Sequence, residues 1–193
     1  MRVQPHSLPR LLFCCGAFAL GLAFSCPSPA QSNETKSDSG KVAYFAGGCF
    51  WCTQEIFRQA PGVTSVVSGY MSGAETVEVA FDPAKTSYEK LLTIFWRAHD
   101  PTEIDRQGPD TGRQYRSAIF YINDQQREMA QRSKKQLQAT HAYPKPIATG
   151  ITRAGSFDRA DEHHQNFCRK NPNNSYIQQT LVPKLKKLGL KLP

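Results

Sequence analysis

From Lys41 onward the chain alternates between short apolar runs and amphipathic segments. Val42–Ala46 is a compact apolar strand, and the segment from Cys49 to Gln59 carries helical spacing until Pro61-Gly62 stops it. Val63–Tyr70 is β-branched and reads as a second strand, with Ser68-Gly69 and Ser72-Gly73 as turn signals. Thr76–Phe81 alternates polar and apolar, as a half-buried strand does, and Asp82-Pro83 closes it. Ser87 is placed to cap a helix over Tyr88–His99, whose Leu91, Leu92, Phe95 and Ala98 recur on one face. Asp100–Tyr115 is a Pro/Gly/Asp loop, and Ser117–Tyr121 is a strand. Asn123 or Asp124 caps a helix to about Gln138, and Ile147–Thr152 follows Pro144 and Pro146 as an edge strand. Asp158, with Asp161 three residues on, predicts a helix from Arg159 to about Lys170 that Asn171-Pro172 ends. The tail to Pro193 has only a weak helical pattern. The resulting order, β-α-β-β-α-β-α-β-α, predicts an α+β fold: a two-layer structure of one mixed sheet with helices packed on it.

Upstream of this domain the pattern changes. Arg2 and Arg10 precede the apolar run Leu11–Ser25, and Ser28-Pro29-Ala30 offers small residues for cleavage. Residues 1–30 therefore read as an export signal, the run being short for a membrane span. An uncleaved anchor, or a lipoprotein signal at Cys26, are the other readings. Gln31–Gly40 is polar and small, a linker. The expected organisation is signal 1–30, linker 31–40 and a catalytic domain over 41–193, in an exported protein that is periplasmic or, alternatively, membrane-anchored.

At 39% hydrophobic and 21% charged, the 193 residues suit one globular domain. The net charge of +8 is not gathered into a basic stripe interleaved with aromatics, so nucleic acid is not expected as a partner. Of six cysteines, Cys14, Cys15 and Cys26 fall in the signal, leaving Cys49, Cys52 and Cys168. An odd number of thiols in an exported protein points to reactivity rather than to stapling.

Gly47-Gly48-Cys49-Phe50-Trp51-Cys52 gathers the chemistry. Cys49 sits where a strand gives way to a helix, where free N–H groups and the helix dipole favour a thiolate nucleophile. Cys49 and Cys52, at i and i+3, lie within disulfide range. A structural disulfide, half of a zinc site completed by His163, His164 and Cys168, and a thioredoxin-type pair compete with a catalytic reading. Phe50 and Trp51 are either core aromatics or the walls of an apolar pocket for a methyl or thioether group.

These residues carry a resemblance. Gly48-Cys49-Phe50-Trp51 is similar to the active-site motif of the peptide methionine sulfoxide reductase A family. In family order follow Ser68-Gly69-Tyr70, Ala74-Glu75, Phe81-Asp82-Pro83, Phe95–Pro101, Arg106–Phe120, His164-Gln165 and Lys170-Asn171-Pro172. The resemblance implies a ferredoxin-like core and a reductase for the S epimer of methionine sulfoxide, acting on oxidised proteins or on the free amino acid. It makes Cys49 the nucleophile on sulfur, Glu75 the acid that protonates the sulfoxide oxygen, Phe50 and Trp51 the methyl pocket, and Asp110 and Tyr115 polar site residues. Without protonation the oxygen is a poor leaving group. Cys49 would be left as a sulfenic acid. Because no cysteine follows Cys168, the resemblance gives the resolving role to Cys52, with a thioredoxin-type dithiol as external reductant, no bound cofactor and no metal. Cys168 reads as a small buried residue, with a second recycling thiol as the other reading. A monomer is expected. One departure stands out. The family carries a stretch with Asn-Pro-Thr-Tyr and Gly-x-Thr-Gly-His before the Ala-Glu, whereas this chain runs Ser72-Gly73-Ala74-Glu75 directly. The family tyrosine in that stretch has no counterpart, leaving Tyr115, or Tyr70, to polarise the oxygen in a more open site.

Overall fold

The computed structural model describes residues 41–193. The expected signal and linker, with Cys14, Cys15 and Cys26, lie outside the described residues. Strand β1 (Val42–Gly47) leads into helix α1 (Phe50–Arg58), then come strands β2 (Val63–Met71) and β3 (Ala74–Phe81) and helix α2 (Tyr88–Ala98). The loop that follows holds two short paired strands, β4 (Arg106–Gln107) and β5 (Asp110–Thr111), and a 3₁₀ turn over Arg113–Tyr115. Strand β6 (Ser117–Tyr121), helix α3 (Asp124–Ala139), strands β7 (Gly150–Arg153) and β8 (Phe157–Arg159) and helix α4 (Phe167–Lys170) come next. The chain ends in a π-helical turn, Ile177–Leu181, that runs into helix α5 (Val182–Leu188). Among the described residues no helix is long and apolar enough to cross a membrane.

The main sheet has the order β7-β6-β1-β3-β2-β8. β3 lies between β1 and β2 and is antiparallel to both, and β6 joins the other edge of β1. That is the split β-α-β arrangement of a ferredoxin-like core, extended by the parallel edge strand β7 and the short antiparallel strand β8. The sheet is mixed and helices pack on it, as the alternation of elements requires. One face carries Phe45, Val77, Val79 and Ile119 against Phe57 of α1, Leu91, Leu92 and Phe95 of α2 and Ala130 of α3. Phe45 stacks on Phe57 at 4.9 Å and on Phe95 at 5.1 Å between ring centroids. Each such burial contributes about 2–3 kcal/mol. The other face holds a smaller cluster of Ala46, Met71, Ala74, Ala118 and Phe120. A third cluster joins Cys52 and Ile56 of α1 to Cys168 and to Ile177, Leu181 and Leu185 of the C-terminal segment.

Caps follow local chemistry. Ser87 accepts from Lys90 N–H, and Asn123, rather than Asp124, accepts from Gln126 N–H. β2 and β3 are joined by Ser72-Gly73, with φ of 51° and 72°, a two-residue turn whose twist matches the strands.

Three local expectations are corrected. Ser68-Gly69 is strand, not turn. A Cβ on Gly69 would lie 2.5 Å from the Asp158 carbonyl, so glycine here lets β8 approach. Residues 157–170 do not form one capped helix. Phe157–Arg159 pairs with the outer edge of β2, and Ala160 N–H continues the pairing to Ser68 O at 2.9 Å, so ladder formation outweighs the Asp158 and Asp161 cap signals. Only Phe167–Lys170 is helical, after Asn166 in the left-handed region. The edge strand is shorter than Ile147–Thr152 suggested. Ile147 is instead fixed outside the ladder, its N–H donating to Gln138 Oε1 at 2.7 Å.

Candidate active site

Gly48 takes φ +87°, and a Cβ there would fall 2.5 Å from Gln107 Cγ. Gln107 is itself clamped. It accepts from Asp100 N–H at 3.0 Å and donates to Asp100 O at 2.9 Å. The glycine therefore lets the loop after α2 close against the chain just before Cys49. Cys49 is the N-cap of α1 but supplies no side-chain cap. The first helical N–H, on Phe50, instead donates to Glu75 Oε2 at 2.9 Å. A carboxylate from β3 thus satisfies a donor that a helix start leaves open, and the same bond brings Glu75 beside Cys49.

Glu75 is 7% exposed, and burial pushes its carboxyl up to about 7. The Phe50 N–H opposes that shift and the charge of Asp110 adds to it. At neutral pH the group is poised between acid and base.

Cys49 and Cys52 are both free thiols, close enough to influence each other's titration. The surroundings of Cys49 work against the depressed pKa that a helix start favours. Interaction with Cys52 and desolvation, with the charge of Glu75, push Cys49 up, while Tyr176 pulls it down. Cys52 is lowered, first by its interaction with Cys49, with help from Lys184 and Thr180. Cys52 Sγ lies 3.8 Å from Thr180 Oγ1.

The aromatics divide between core and wall. Phe50 is buried in the main core, yet its ring also meets Tyr70 at 5.4 Å and His164 at 5.3 Å. Trp51 stacks on Phe167 at 3.8 Å and meets the edge of Tyr176 at 6.0 Å. Its indole N–H donates to His164 Nδ1 at 3.1 Å, which puts any His164 proton on Nε2. Tyr115 lies in the 3₁₀ turn within electrostatic reach of Glu75, Asp110 and Cys49; burial, then those charges, raises its hydroxyl. Tyr70 is raised in the same way by burial and by Glu75. The Tyr176 hydroxyl donates to Asp110 Oδ2 and lies within hydrogen-bond reach of Cys49, and burial raises it strongly. Three phenols that keep their protons therefore surround one thiol and one carboxyl.

A family model described as peptide methionine sulfoxide reductase matches residues 41–75 and 72–191. The chain belongs to the peptide methionine sulfoxide reductase family. It is 42% identical over 181 residues to peptide methionine sulfoxide reductase MsrA 1 of Rhodopirellula baltica, covering 84% of this chain and 93% of that protein. It is 40% identical over 178 residues to MsrA of Deinococcus radiodurans, covering 82% and 86%. The fold superposes on reduced Mxr1 from Saccharomyces cerevisiae with a TM-score of 0.66 at 30% identity, covering 69% of this chain and 87% of that one. Methionine sulfoxide reductase A of Corynebacterium diphtheriae gives 0.60 at 31%, covering 69% and 76%. The yeast protein complexed with Trx2 gives 0.52 at 26%, covering 66% and 84%. Peptide methionine sulfoxide reductases are oxidoreductases. The two matched pieces of the family model overlap at residues 72–75, at the Ser72-Gly73 turn.

Within this reductase fold, Cys49, Cys52, Glu75, Phe50, Trp51, Asp110 and Tyr115 are brought together, although they come from β3, α1, β5 and the 3₁₀ turn. Tyr176 joins them and was not singled out by the sequence. Lying in the weakly patterned tail, it has no local signal beyond a tyrosine shortly after Lys170-Asn171-Pro172. Gln165 was named only as part of a motif. It accepts from Gln54 Nε2 at 3.1 Å and from Ser68 N–H at 3.0 Å, and donates to Ser68 O at 2.8 Å and Ala160 O at 2.9 Å. This buried junction ties α1 to the β2 edge and to the chain bearing His164. Cys168 is 1% exposed, its thiol is pushed up to about 12 chiefly by burial, and it donates to Trp51 O at 3.3 Å. His164 and Cys168 do not share a helix face, since α4 starts at Phe167. Among the described residues no group of three His, Cys, Asp or Glu side chains could hold a metal ion.

Proposed function

We propose that this chain reduces the S epimer of methionine sulfoxide in proteins and peptides, with Cys49 as nucleophile, and on the free amino acid as a secondary substrate. The observation that carries the reading is the placement of one thiol beside one buried carboxyl whose pKa stands near neutrality. A protonated Glu75 removes a negative charge from beside Cys49 and holds the proton that the sulfoxide oxygen needs. Cys49 sulfur attacks the sulfoxide sulfur, the oxygen passes to Cys49 as a sulfenic acid with its proton, and the thioether leaves as methionine. Tyr115 and Tyr176, with Tyr70 at the rim, are the donors available to the oxygen as charge develops on it. Phe50 and Trp51 form the wall against which a methyl group rests.

Cys52 is the resolving thiol in this proposal, because it sits one helical turn from Cys49 and interacts with it, while Cys168 is spent on the Trp51 carbonyl. Its sulfur displaces the hydroxyl of the sulfenic acid as water, giving a Cys49–Cys52 disulfide. A thioredoxin-type dithiol then reduces that bond by exchange and is itself oxidised. The yeast Mxr1 complex with Trx2 supports a donor of this class. Export to the periplasm, with an anchored form as the alternative, rests on Arg2, Arg10 and Leu11–Ser25 alone, and a monomer is the working assembly.

The test is to give reduced protein a peptide bearing the resolved R or S sulfoxide and to count methionine formed. The S epimer alone should be consumed, and Cys49→Ser should form none. Equal use of both epimers would refute the reading. Reduction of protein disulfides with no action on either sulfoxide would favour a thiol–disulfide oxidoreductase.

A further inference from the structure

Behind the tight β2–β3 turn lies a groove of about 430 Å³ on the sheet face opposite α1 and α2. Its floor is Ala118 and Phe120 of β6, and Ile104, 76% exposed, stands on its rim. Arg113, Arg116 and Arg153 line it. Arg116 is held by backbone carbonyls, Nη1 donating to Arg113 O at 3.0 Å and Nη2 to Ser72 O at 2.7 Å. Arg113 and Arg153 are exposed, and among the described residues no ion pair engages any of the three arginines. Two acids share the lining. Glu103 is taken up by Arg106 at 3.3 Å and by the Gly108 N–H at 2.7 Å. Asp105 faces Arg116 across a longer gap. Cationic, planar donors therefore remain in excess around an apolar floor.

The groove and the candidate active site are built from the same two pieces of chain. Ser72 lines the groove and Glu75, three residues on, sits at Cys49. Arg113 lines the groove and Tyr115, two residues on, faces Glu75 and Cys49. We infer that this groove receives acidic side chains of a peptide substrate, on the chain flanking the oxidised methionine. Carboxylates match guanidinium forks bidentately, and the apolar floor accommodates the stems that carry them. This rests on the reductase reading of the site.

The experiment uses reduced full-length protein, a thioredoxin-type donor and three peptides. Each carries one methionine S-sulfoxide, with Glu, Gln or Lys at every position from two to five residues away on both sides. kcat/KM should fall in the order Glu, Gln, Lys, with about 3–10-fold between the extremes at low salt, as expected for a few solvent-exposed charge pairs. The ratio should shrink towards one in high salt. In the double variant Arg113→Gln/Arg153→Gln it should approach one at low salt, and Arg153→Gln alone should give an intermediate ratio. Equal kcat/KM for the three peptides, or a preference that survives the double variant, overturns the groove. Failure to reduce any of the three overturns the reductase reading and the groove with it, whereas reduction without preference overturns the groove alone.

Discussion

Replacing Glu75 by Gln separates its chemical role from its structural one. The amide oxygen can still accept from Phe50 N–H, which the carboxylate now does at 2.9 Å, so the start of α1 keeps its cap. What is lost is the proton. General acids contribute about 10²–10⁴-fold, so the single-turnover rate of methionine formation should fall by that factor at neutral pH. A second readout does not depend on turnover. The carboxyl is raised from 4.5 to about 7, chiefly by burial. A group with a raised folded pKa keeps its proton longer in the folded state, so its contribution to stability is complete below the unfolded value and is lost as pH climbs towards the folded one. At 1.36 kcal/mol per pH unit, the native state forfeits about 3 kcal/mol between pH 4.5 and 7. Glu75→Gln has no such titration. Urea unfolding of both proteins at pH 5 and pH 8 should show the variant gaining about 2–3 kcal/mol relative to wild type across that interval, with all other titrations cancelling. Rapid-quench counting of methionine gives the rate. A variant with the wild-type single-turnover rate, or a stability difference that does not move with pH, would refute the reasoning.

Further outcomes follow from neighbouring contacts. Cys52→Ser should release one methionine per enzyme and then stall with a thioredoxin-type donor; sustained turnover would transfer resolution to Cys168. Tyr176→Phe keeps the edge contact with Trp51 but removes the donor to Asp110 and Cys49, and should slow the chemical step roughly tenfold, at the scale of one hydrogen bond; an unchanged single-turnover rate would remove Tyr176 from the site. Gly48→Ala must place a Cβ 2.5 Å from Gln107 at φ +87° and should cost about 2–4 kcal/mol in urea unfolding, while also displacing Cys49. A wild-type unfolding midpoint would show that the loop after α2 yields freely.

What the sequence disclosed was what is decided locally. β1, β3 and α2 carry clean periodicities, and the Ser87 cap is a short-range hydrogen bond that any helix start there would make. The segment 157–170 misled because its cap signals are equally local, while the outcome was decided by an edge of β2 that needed a partner, a fact visible only once β2 and β3 are paired. The juxtaposition of Glu75 with Cys49 was legible through family motifs and not through any pattern of its own, since it depends on one bond from Phe50 N–H to β3. A helix start argues for a thiolate at Cys49, but burial, which depends on the rest of the fold, opposes it. Gln165 and Tyr176 were obscure for want of any local rule, because their partners lie at great separations along the chain.

Those separations bear on how the molecule comes into being. Cys52 and Thr180 are neighbours 128 positions apart, and Tyr176 and Asp110 are 66 apart. A growing chain can assemble β1, β2, β3 and β6 long before the segment that covers the two thiols has been made. Until residues 176–188 arrive, the cluster around Cys52 lacks Ile177, Leu181 and Leu185, so the cover of that thiol comes from the last stretch of the chain.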